Sequence, residues 1–350
     1  MTSPPPGTTS VRPGHAFDEA ALARFLEARL PGFRPPLTVW QFEGGQSNPT
    51  FLLQTPGAQY VLRKKPPGRL LPSAHQVERE HRVMAALAGT GVPVPPCRLL
   101  CEDPAVVGTP FFVMDQVPGR VFWDPKLPGL SPAERCALYD GMIDVLARLH
   151  AVDCEAVGLG DYGRPGSYFA RQVARWSQQY EAARTEDVPA MTALMAWLPA
   201  HLPASEETRL VHGDFRLDNL IVHPAEPTIV AILDWELSTL GHPLADLAYG
   251  ALAYYITPEG VPREGQARLD DPGIPQLEAW IDRYASRTGR DVHASWPFLV
   301  AFSLFRLASI AQGVYARGLQ GNAASAQALR YRDAARDLAQ LAWRIVNDPS

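Results

Sequence analysis

The hydrophobic period of this chain changes twice, and few architectures accommodate both changes. The early runs "LTVWQFE", "TFLLQ", "YVLRKK", "CRLLCE" and "PFFVMDQV" are short and strand-like, separated by Gly/Pro-rich turns such as "GGQSNP". Before them, Ala21, Leu22, Phe25, Leu26 and Leu30 have helical spacing, and Pro31-Gly32 stops it. Between the strands, Ser73 to Gln76 form a capping-box pattern that predicts a helix reaching about Ala88. From Ser131-Pro132-Ala133-Glu134, an N-cap, first-turn proline and capping-box Glu, a helix to about His150 is predicted. Helical spacing then dominates, at roughly 164–184, 189–201, 243–256, 274–288, 294–316 and 325–346. The exception is 209–234, where strand, polar loop and strand return. These patterns predict an α+β chain: residues 1–15 a disordered lead-in, 16–116 a small sheet-rich lobe with one inserted helix, and 117–350 a large helical lobe with a short β-insert. The Pro/Gly-rich stretch "VPGRVFWDPKLPGL" marks the boundary.

Size and composition narrow the function classes. With 350 residues the chain is long enough for proper cores, and 46% hydrophobic against 20% charged residues is ordinary for a globular protein. A net charge of −5 and the lack of a basic stripe give no footprint for nucleic acid. Four cysteines (Cys97, Cys101, Cys136, Cys154) make no disulfide framework, and Cys97 and Cys101 have no second Cys/His pair nearby to complete a metal site. The N-terminus "MTSPPPGTTSVRPGH" has no apolar core of the signal-peptide kind. The most apolar long segment, 296–316, carries Arg306 and Gln312 inside it, which fits a buried helix better than a membrane span. The expectation is a cytoplasmic protein with no membrane partner.

The chemistry concentrates in "LVHGDFRLDNLIVHP" and "IVAILDWE". Asp214, Asp218 and Asn219 are all residues that turns use for local bonding. Their order argues for more. Asp214 is followed two residues on by the cation Arg216 and five residues on by the amide Asn219; fifteen residues further, Asp234 ends a strand. Phosphoryl transfer from a nucleotide needs such a set: a carboxylate to orient the acceptor hydroxyl and take its proton, a cation toward the phosphoryl group, and amide and carboxylate oxygens for Mg²⁺.

His212-Gly213-Asp214-x4-Asn219 and Ile232-Leu233-Asp234-Trp235-Glu236 resemble the catalytic and metal motifs of the aminoglycoside phosphotransferase superfamily, small-molecule kinases with a protein-kinase-like two-lobe fold. The resemblance covers nearly all of the chain after about residue 20. "YVLRKKPPGRLLPSAHQVEREHRVMAAL", "ILDWELSTLGHPLADLAY" and "FSLFRLASIAQGVYARG" are similar to the branch of kinase domains fused to acyl-CoA dehydrogenases. It implies an ATP- and Mg²⁺-dependent enzyme phosphorylating a small-molecule hydroxyl, with a hydroxyacyl-CoA as a candidate acceptor. Carried over residue by residue, it makes Asp214 the catalytic carboxylate and Asn219 and Asp234 the metal ligands. Arg216 falls where protein kinases place a Lys that contacts the γ-phosphate; a solvated Arg is the alternative. His212 and Asp246 are expected to be structural, Asp246 bracing the catalytic loop. Asp218 is expected to be solvated or a turn cap, and Glu236 to support the metal site indirectly.

On the nucleotide side, strand alternation puts Val61, Arg63 and Lys65 on one face of "YVLRKK". Aligned to the kinase pattern V-A-I-K, Val61 becomes the adenine roof and Arg63 the phosphate-binding cation, with Arg in place of Lys. Lys64 and Lys65 stay open as alternatives. Glu80 lies three residues after Val77 and four before Met84, on the buried stripe of the following helix, whereas Glu78 points about a quarter turn away. A buried Glu is uncommon without a partner, which predicts a Glu80–Arg63 pair. Ser47 and Asn48, in a turn-rich loop, are candidates for approaching the phosphates. "FFVMDQVPG" resembles the interlobe hinge, with Met114 lining the adenine pocket and backbone groups of Asp115 and Val117 meeting the base.

The acceptor pocket is the least legible part. Trp123, Tyr168, Trp176 and Trp235 could line it, and so could core packing account for them. Arg306 on its apolar helix would be costly unless paired; an internal partner and an anionic acceptor group are the two readings. An aminoglycoside kinase is an alternative within the class, although "LAQLAWRIVNDPS" lacks the acidic clustering a polycation would want. A nucleotide-binding pseudokinase is the alternative of another class, disfavoured by intact Asp214, Asn219 and Asp234.

Overall fold

The computed structural model describes residues 3–44, 48–68, 75–263, 268–320 and 328–347. It is α+β, with an antiparallel sheet in the N-terminal part and a mainly helical C-terminal part. Two compact units emerge: Met1–Arg120 with Ile221–Pro224 and Val230–Ser238, and Val121–Leu220 with Ala225–Ile229 and Thr239–Ser350. The first unit therefore extends past the expected cut at residue 116 and takes in later segments. Backbone pairing explains it: Arg120 N donates to Val222 O at 2.7 Å, Val222 N to Arg120 O at 2.8 Å, and Ile232 N to Pro93 O at 2.9 Å.

The sheet of the first unit comprises β1 (Thr8–Thr9), β2 (Thr38–Phe42), β3 (Thr50–Gln54), β4 (Gln59–Lys64), β5 (Cys97–Cys101) and β6 (Phe111–Asp115), in the order β1-β2-β3-β4-β6-β5. The expected disordered lead-in is corrected here. Thr8 and Thr9 pair with Phe42 and Gln41, and Arg12 N donates to the Gln41 side chain at 3.0 Å. β2 would otherwise be an edge with unsatisfied backbone groups, and two β-branched residues cover it.

Strand alternation sorts the sheet into two faces. Val39, Phe51, Leu53, Tyr60, Leu62, Phe111 and Val113 join one core with Leu22, Leu26 and Leu30 from helix α1 (Glu19–Arg29) and its end. α1 starts at Asp18, whose carboxylate accepts from Ala21 N at 2.9 Å. The opposite face carries Val61 and Arg63, with Met114 across from Val61 and Phe112 across from Arg63. Helix α2 (Val77–Leu87) packs against β5, β6 and the turn Trp235–Leu237, burying Val77, Glu80, Val83, Met84 and Leu87. Its N-cap is Gln76, without a side-chain cap; Ser73, expected to open it, lies outside the described residues. A short α3 (Pro104–Val107) links β5 to β6.

In the second unit, α4 (Pro132–His150) has the expected capping box: Glu134 N donates to Ser131 Oγ at 3.3 Å and Ser131 N to Glu134 Oε2 at 2.8 Å. Helices α5 (Tyr168–Ala183), α6 (Pro189–Ala200), α7 (Pro243–Gly250), α8 (Leu277–Thr288), α9 (Trp296–Leu319) and α10 (Tyr331–Asn347) follow the predicted order. α7 is shorter than expected, because residues 251–254 tighten into a 3-10 turn. This unit's strands are β7 (Arg209–Val211) and β10 (Thr239–Gly241), whereas β8 (Leu220–Val222) and β9 (Ile229–Ile232) fall mostly in the first unit. β10 pairs antiparallel with β7 and was not legible in the sequence. α9 is long and apolar enough to cross a membrane, but 72% of its most apolar window is buried, against α5, α6, α7 and α10.

Candidate functional site

The candidate residues fall into two groups, one in each compact unit. In the first unit, β4 presents Arg63 beside Val61, as strand parity predicts. Arg63 Nε lies 2.9 Å from Glu80 Oε2, and its NH2 lies 2.6 Å from Asp234 Oδ1 and 3.9 Å from Glu236 Oε2. The Arg63 side chain is 11% exposed and that of Glu80 only 2%. Burial opposes the charge on Arg63, but the three carboxylates outweigh it and raise the pKa above the ordinary value. Burial pushes the Glu80 carboxyl up to about 7; Arg63 holds it down, while Asp234 and Glu236 add to the rise.

The three candidate cations have different surroundings. Lys64 points to the other face, where Nζ donates to Val107 O at 2.6 Å and lies over the Phe17 ring at 5.1 Å. Lys65 pairs with Glu78 at 2.6 Å, the Glu that helical spacing turns away from the buried stripe. Arg63 is thus the cation beside Glu80 and Asp234.

Asp234 adopts a left-handed backbone, φ 64°, at the head of the turn Trp235–Leu237. Non-glycine residues seldom take this conformation, and Asp is among the more tolerant. Trp235, wholly buried, fixes the turn by donating from Nε1 to Ile232 O at 2.9 Å. It is therefore a core residue of the first unit rather than a wall of the acceptor pocket. Glu236 reaches Asn48 Nδ2 at 3.4 Å, and Asn48 Oδ1 meets His75 Nδ1 at 3.1 Å. Asn48 is 1% exposed, so its side chain serves as a brace. Ser47 lies outside the described residues.

Along the hinge-like segment, Met114 is buried opposite Val61, so the two share a face. The backbone N–H of Asp115 is already committed, donating to Pro96 O at 2.9 Å, and its carboxylate takes Arg98 in a two-point pair at 2.7 and 2.5 Å. The Asp115 N–H, one of the backbone groups expected near the base, is thus taken up by the sheet's own bonding. The Val117 N–H makes no hydrogen bond among the described residues.

In the second unit, the loop after β7 carries Asp214. Buried Asp246 pins the loop backbone, accepting from His212 N at 2.6 Å and Gly213 N at 2.8 Å. Gly213 has φ 83°, a conformation that suits glycine and lets both amides turn toward one carboxylate. His150 lies 3.4 Å from Asp246 and 2.6 Å from the Tyr284 hydroxyl; burial lowers its pKa and keeps it neutral. His212 is structural, its Nδ1 accepting from Asp214 N at 3.2 Å.

Asn219 ends a 3-10 turn, and its side-chain Nδ2 donates to Asp214 O at 2.8 Å and Asp214 Oδ2 at 2.9 Å. Its amide oxygen makes no hydrogen bond among the described residues. Burial and the charge of the nearby Asp214 carboxylate raise the Tyr249 phenol above its ordinary pKa. Tyr249 was missed in the sequence, although it lies three residues after Asp246 and so shares a helical face with it. Arg216 forms a two-point pair with Asp218, Nε to Oδ1 at 2.6 Å and NH2 to Oδ2. Asp218 is thus neither a free solvated group nor a simple turn cap, but the partner of Arg216.

Asp234 offers a carboxylate and Asn219 an amide oxygen, hard donors of the kind Mg²⁺ takes, and a Mg²⁺-nucleotide needs only one or two of them from protein. No group of three or more His, Cys, Asp or Glu able to hold a metal occurs among the described residues.

Residues 38–280 match the model of the phosphotransferase enzyme family. Acyl-CoA dehydrogenase family member 10 of Mus musculus is 48% identical over 342 residues, 97% of this chain. The match spans only 32% of that relative's length, so the chain corresponds to about a third of it. A crystal structure from Ralstonia eutropha, provisionally named an aminoglycoside phosphotransferase, is 48% identical, covers 95% of this chain and 99% of that one, and superposes with a TM-score of 0.86. A thermostable aminoglycoside phosphotransferase, solved with AMP-PNP and hygromycin B, shares the fold at 18% identity, with 93% and 98% coverage and a TM-score of 0.61.

Proposed function

Because the chain belongs to the phosphotransferase enzyme family, we propose that it transfers a phosphoryl group from ATP to a hydroxyl of a small molecule. The observation that carries this reading is the fastening of Asp214. Its loop is pinned through two amides by Asp246, and its carboxylate accepts from a neutral donor, the amide of Asn219. The direction of a carboxylate held this way is set before any acceptor arrives.

The roles follow from the chemistry of phosphoryl transfer, which is mostly positioning and charge stabilisation. Asp214 orients the acceptor hydroxyl and receives its proton as the oxygen bonds to the γ-phosphorus and the bond to ADP breaks. Arg63, held by Glu80, faces the nucleotide phosphates with its planar donor fork. Val61 and Met114 offer an apolar surface to the base, and the Val117 N–H offers a donor. Mg²⁺, when bound, would neutralise charge on the phosphate oxygens, with Asp234 and Asn219 as protein oxygen donors. Arg216 is held by Asp218, so a phosphate contact would require it to leave that pair.

A hydroxyacyl-CoA is the proposed acceptor, supported by the acyl-CoA dehydrogenase names of the relatives. An aminoglycoside is the second reading, supported by the name given to the Ralstonia protein. The reading includes a cytoplasmic location. The test is an ADP-release screen with Mg-ATP against hydroxyacyl-CoA thioesters, aminoglycosides and amino alcohols. Turnover of one class identifies the acceptor. Failure to bind Mg-ATP by calorimetry would overturn the kinase reading.

A further inference from the structure

Helix α9 satisfies its buried polar side chains within the fold, with one exception. Ser303 and Ser309 donate to the carbonyls of Leu299 and Phe305, each at 2.9 Å. Gln312 donates to Ala183 O at 2.8 Å and Thr185 Oγ1 at 2.9 Å. Arg306, only 8% exposed, makes no ion pair and no hydrogen bond among the described residues. Its Nε is fully buried without a partner. The internal partner that an apolar helix should supply is not there.

What surrounds Arg306 is aromatic. Its guanidinium lies over the Tyr249 ring at 4.8 Å and over the Trp176 ring at 5.6 Å. Trp176 contributes a second orphan, a buried indole N–H with no partner. Arg175 also stacks on Trp176, at 5.5 Å. Burial raises the Tyr168 phenol, and the charges of Arg306, Asp246, Arg175 and Arg171 all act on it. Two ring contacts offset part of the burial cost of a guanidinium, but they fill none of its donors. Buried donors that remain open are costly unless something from outside fills them.

The direction of this cluster is given by Tyr249. Its ring lies against Arg306, and its phenol is near enough to Asp214 that, after burial, that carboxylate's charge is the main influence raising its pKa. One phenol therefore separates the open cation from the group that orients the acceptor hydroxyl.

We propose that Arg306, flanked by Tyr249 and Trp176, is an anion-recognition residue of the acceptor site, so that the acceptor is an alcohol carrying a phosphate or carboxylate. This rests on the kinase reading above and narrows it. A polycationic acceptor is disfavoured by three guanidiniums and by the lack of a carboxylate partner for Arg306. Arg suits the task better than Lys, because a flat guanidinium can stack between rings and still present donors at its edge.

The experiment is calorimetric titration without nucleotide, using pairs that differ in the anion: 3-hydroxybutyryl-CoA against 3-hydroxybutyryl-pantetheine, glycerol 3-phosphate against glycerol, and 3-hydroxybutyrate against its methyl ester. Wild type should bind the anionic member of at least one pair tighter by roughly tenfold or more, as charge-assisted hydrogen bonds give. Which pair responds tells phosphate from carboxylate. Arg306→Gln and Arg306→Met should abolish the preference, while Mg-ATP affinity stays at the wild-type value. The melting temperature of Arg306→Met should be no lower than wild type, because no internal pair is broken. The proposal is overturned if no anionic member is preferred, if the preference survives both substitutions, or if Arg306→Met melts well below wild type. Loss of Mg-ATP binding by the wild-type protein would strike the kinase reading instead, independently of these titrations.

Discussion

Arg63 and Arg306 are both arginines on buried surfaces, and they are treated in opposite ways. Around Arg63 the first unit gathers Glu80, Asp234 and Glu236, so the positive charge is more than matched before any ligand binds. Around Arg306 the second unit places two aromatic rings and no carboxylate within pairing distance among the described residues. The same contrast holds for the carboxylates. Asp234 is tied to a cation, whereas Asp214 is held by the neutral amide of Asn219. One region is a closed charge cluster that a ligand must rearrange. The other keeps its anion and its cation apart, each ready for a different part of one ligand. The difference teaches that burial of a charge says little about its use until its partners are counted.

The largest expected effect tests the open region. Asp214→Asn should lower turnover by ~10²–10⁴-fold, the range for a positioned acid–base group, with Mg-ATP affinity little changed. Normal turnover on the identified acceptor would remove Asp214 from the mechanism. Next, the two arginines should part company in stability. Arg63→Met leaves Glu80 buried beside two more carboxylates and should cost about 3–5 kcal/mol in denaturant unfolding, whereas Arg306→Met should cost nothing of that kind. Equal losses would erase the contrast.

In the closed cluster, Arg63→Ala should raise the KM for ATP and lower turnover, and Glu80→Ala should do the same more weakly. Because the two side chains touch, the double variant should be less impaired than the summed single effects. Strict additivity would show that the pair does not act as a unit. The pH dependence sharpens the same point. Burial raises Glu80 in the folded state to about 7, above its ordinary 4.5, so its proton is held more tightly folded than unfolded. Stability from this group is full below about pH 4.5 and is lost as pH rises through 7. Glu80→Gln should flatten the melting temperature over that interval, and an unchanged profile would place Glu80's titration elsewhere. The smallest effects belong to Tyr249→Phe and Lys64→Met. Removing the phenol hydroxyl beside Asp214 should lower kcat by roughly tenfold or less, leaving the KM for ATP unchanged. Lys64→Met should leave nucleotide affinity unaltered, since that amine serves Val107 on the other face of the sheet.

Much of this arrangement is local and so was legible in the sequence. The two-residue parity of β4 separates Arg63 and Val61 from Lys64 and Leu62, because pleating alternates side chains whatever the strand packs against. Helical spacing likewise puts Glu80 on the inward stripe of α2 and sends Glu78 to Lys65. The order His-Gly-Asp-x4-Asn places an amide within reach of a carboxylate through a single turn. The capping box of α4 needs only four consecutive residues.

Tertiary structure alone decided what depends on distant segments. Asn48 and Glu236 meet across 188 positions, Arg63 and Asp234 across 171. The disordered lead-in became an edge strand because β2 had an edge to fill. Arg216 turned to Asp218, a neighbour whose spacing permits a pair but does not require one. Whether Arg306 found a carboxylate could not be read from α9, since every helix packed around it had a chance to supply one and none did among the described residues. Periodicity and turn chemistry are fixed by bonds a few residues long, whereas charge pairing and burial are sums over neighbours that only the packed chain brings together.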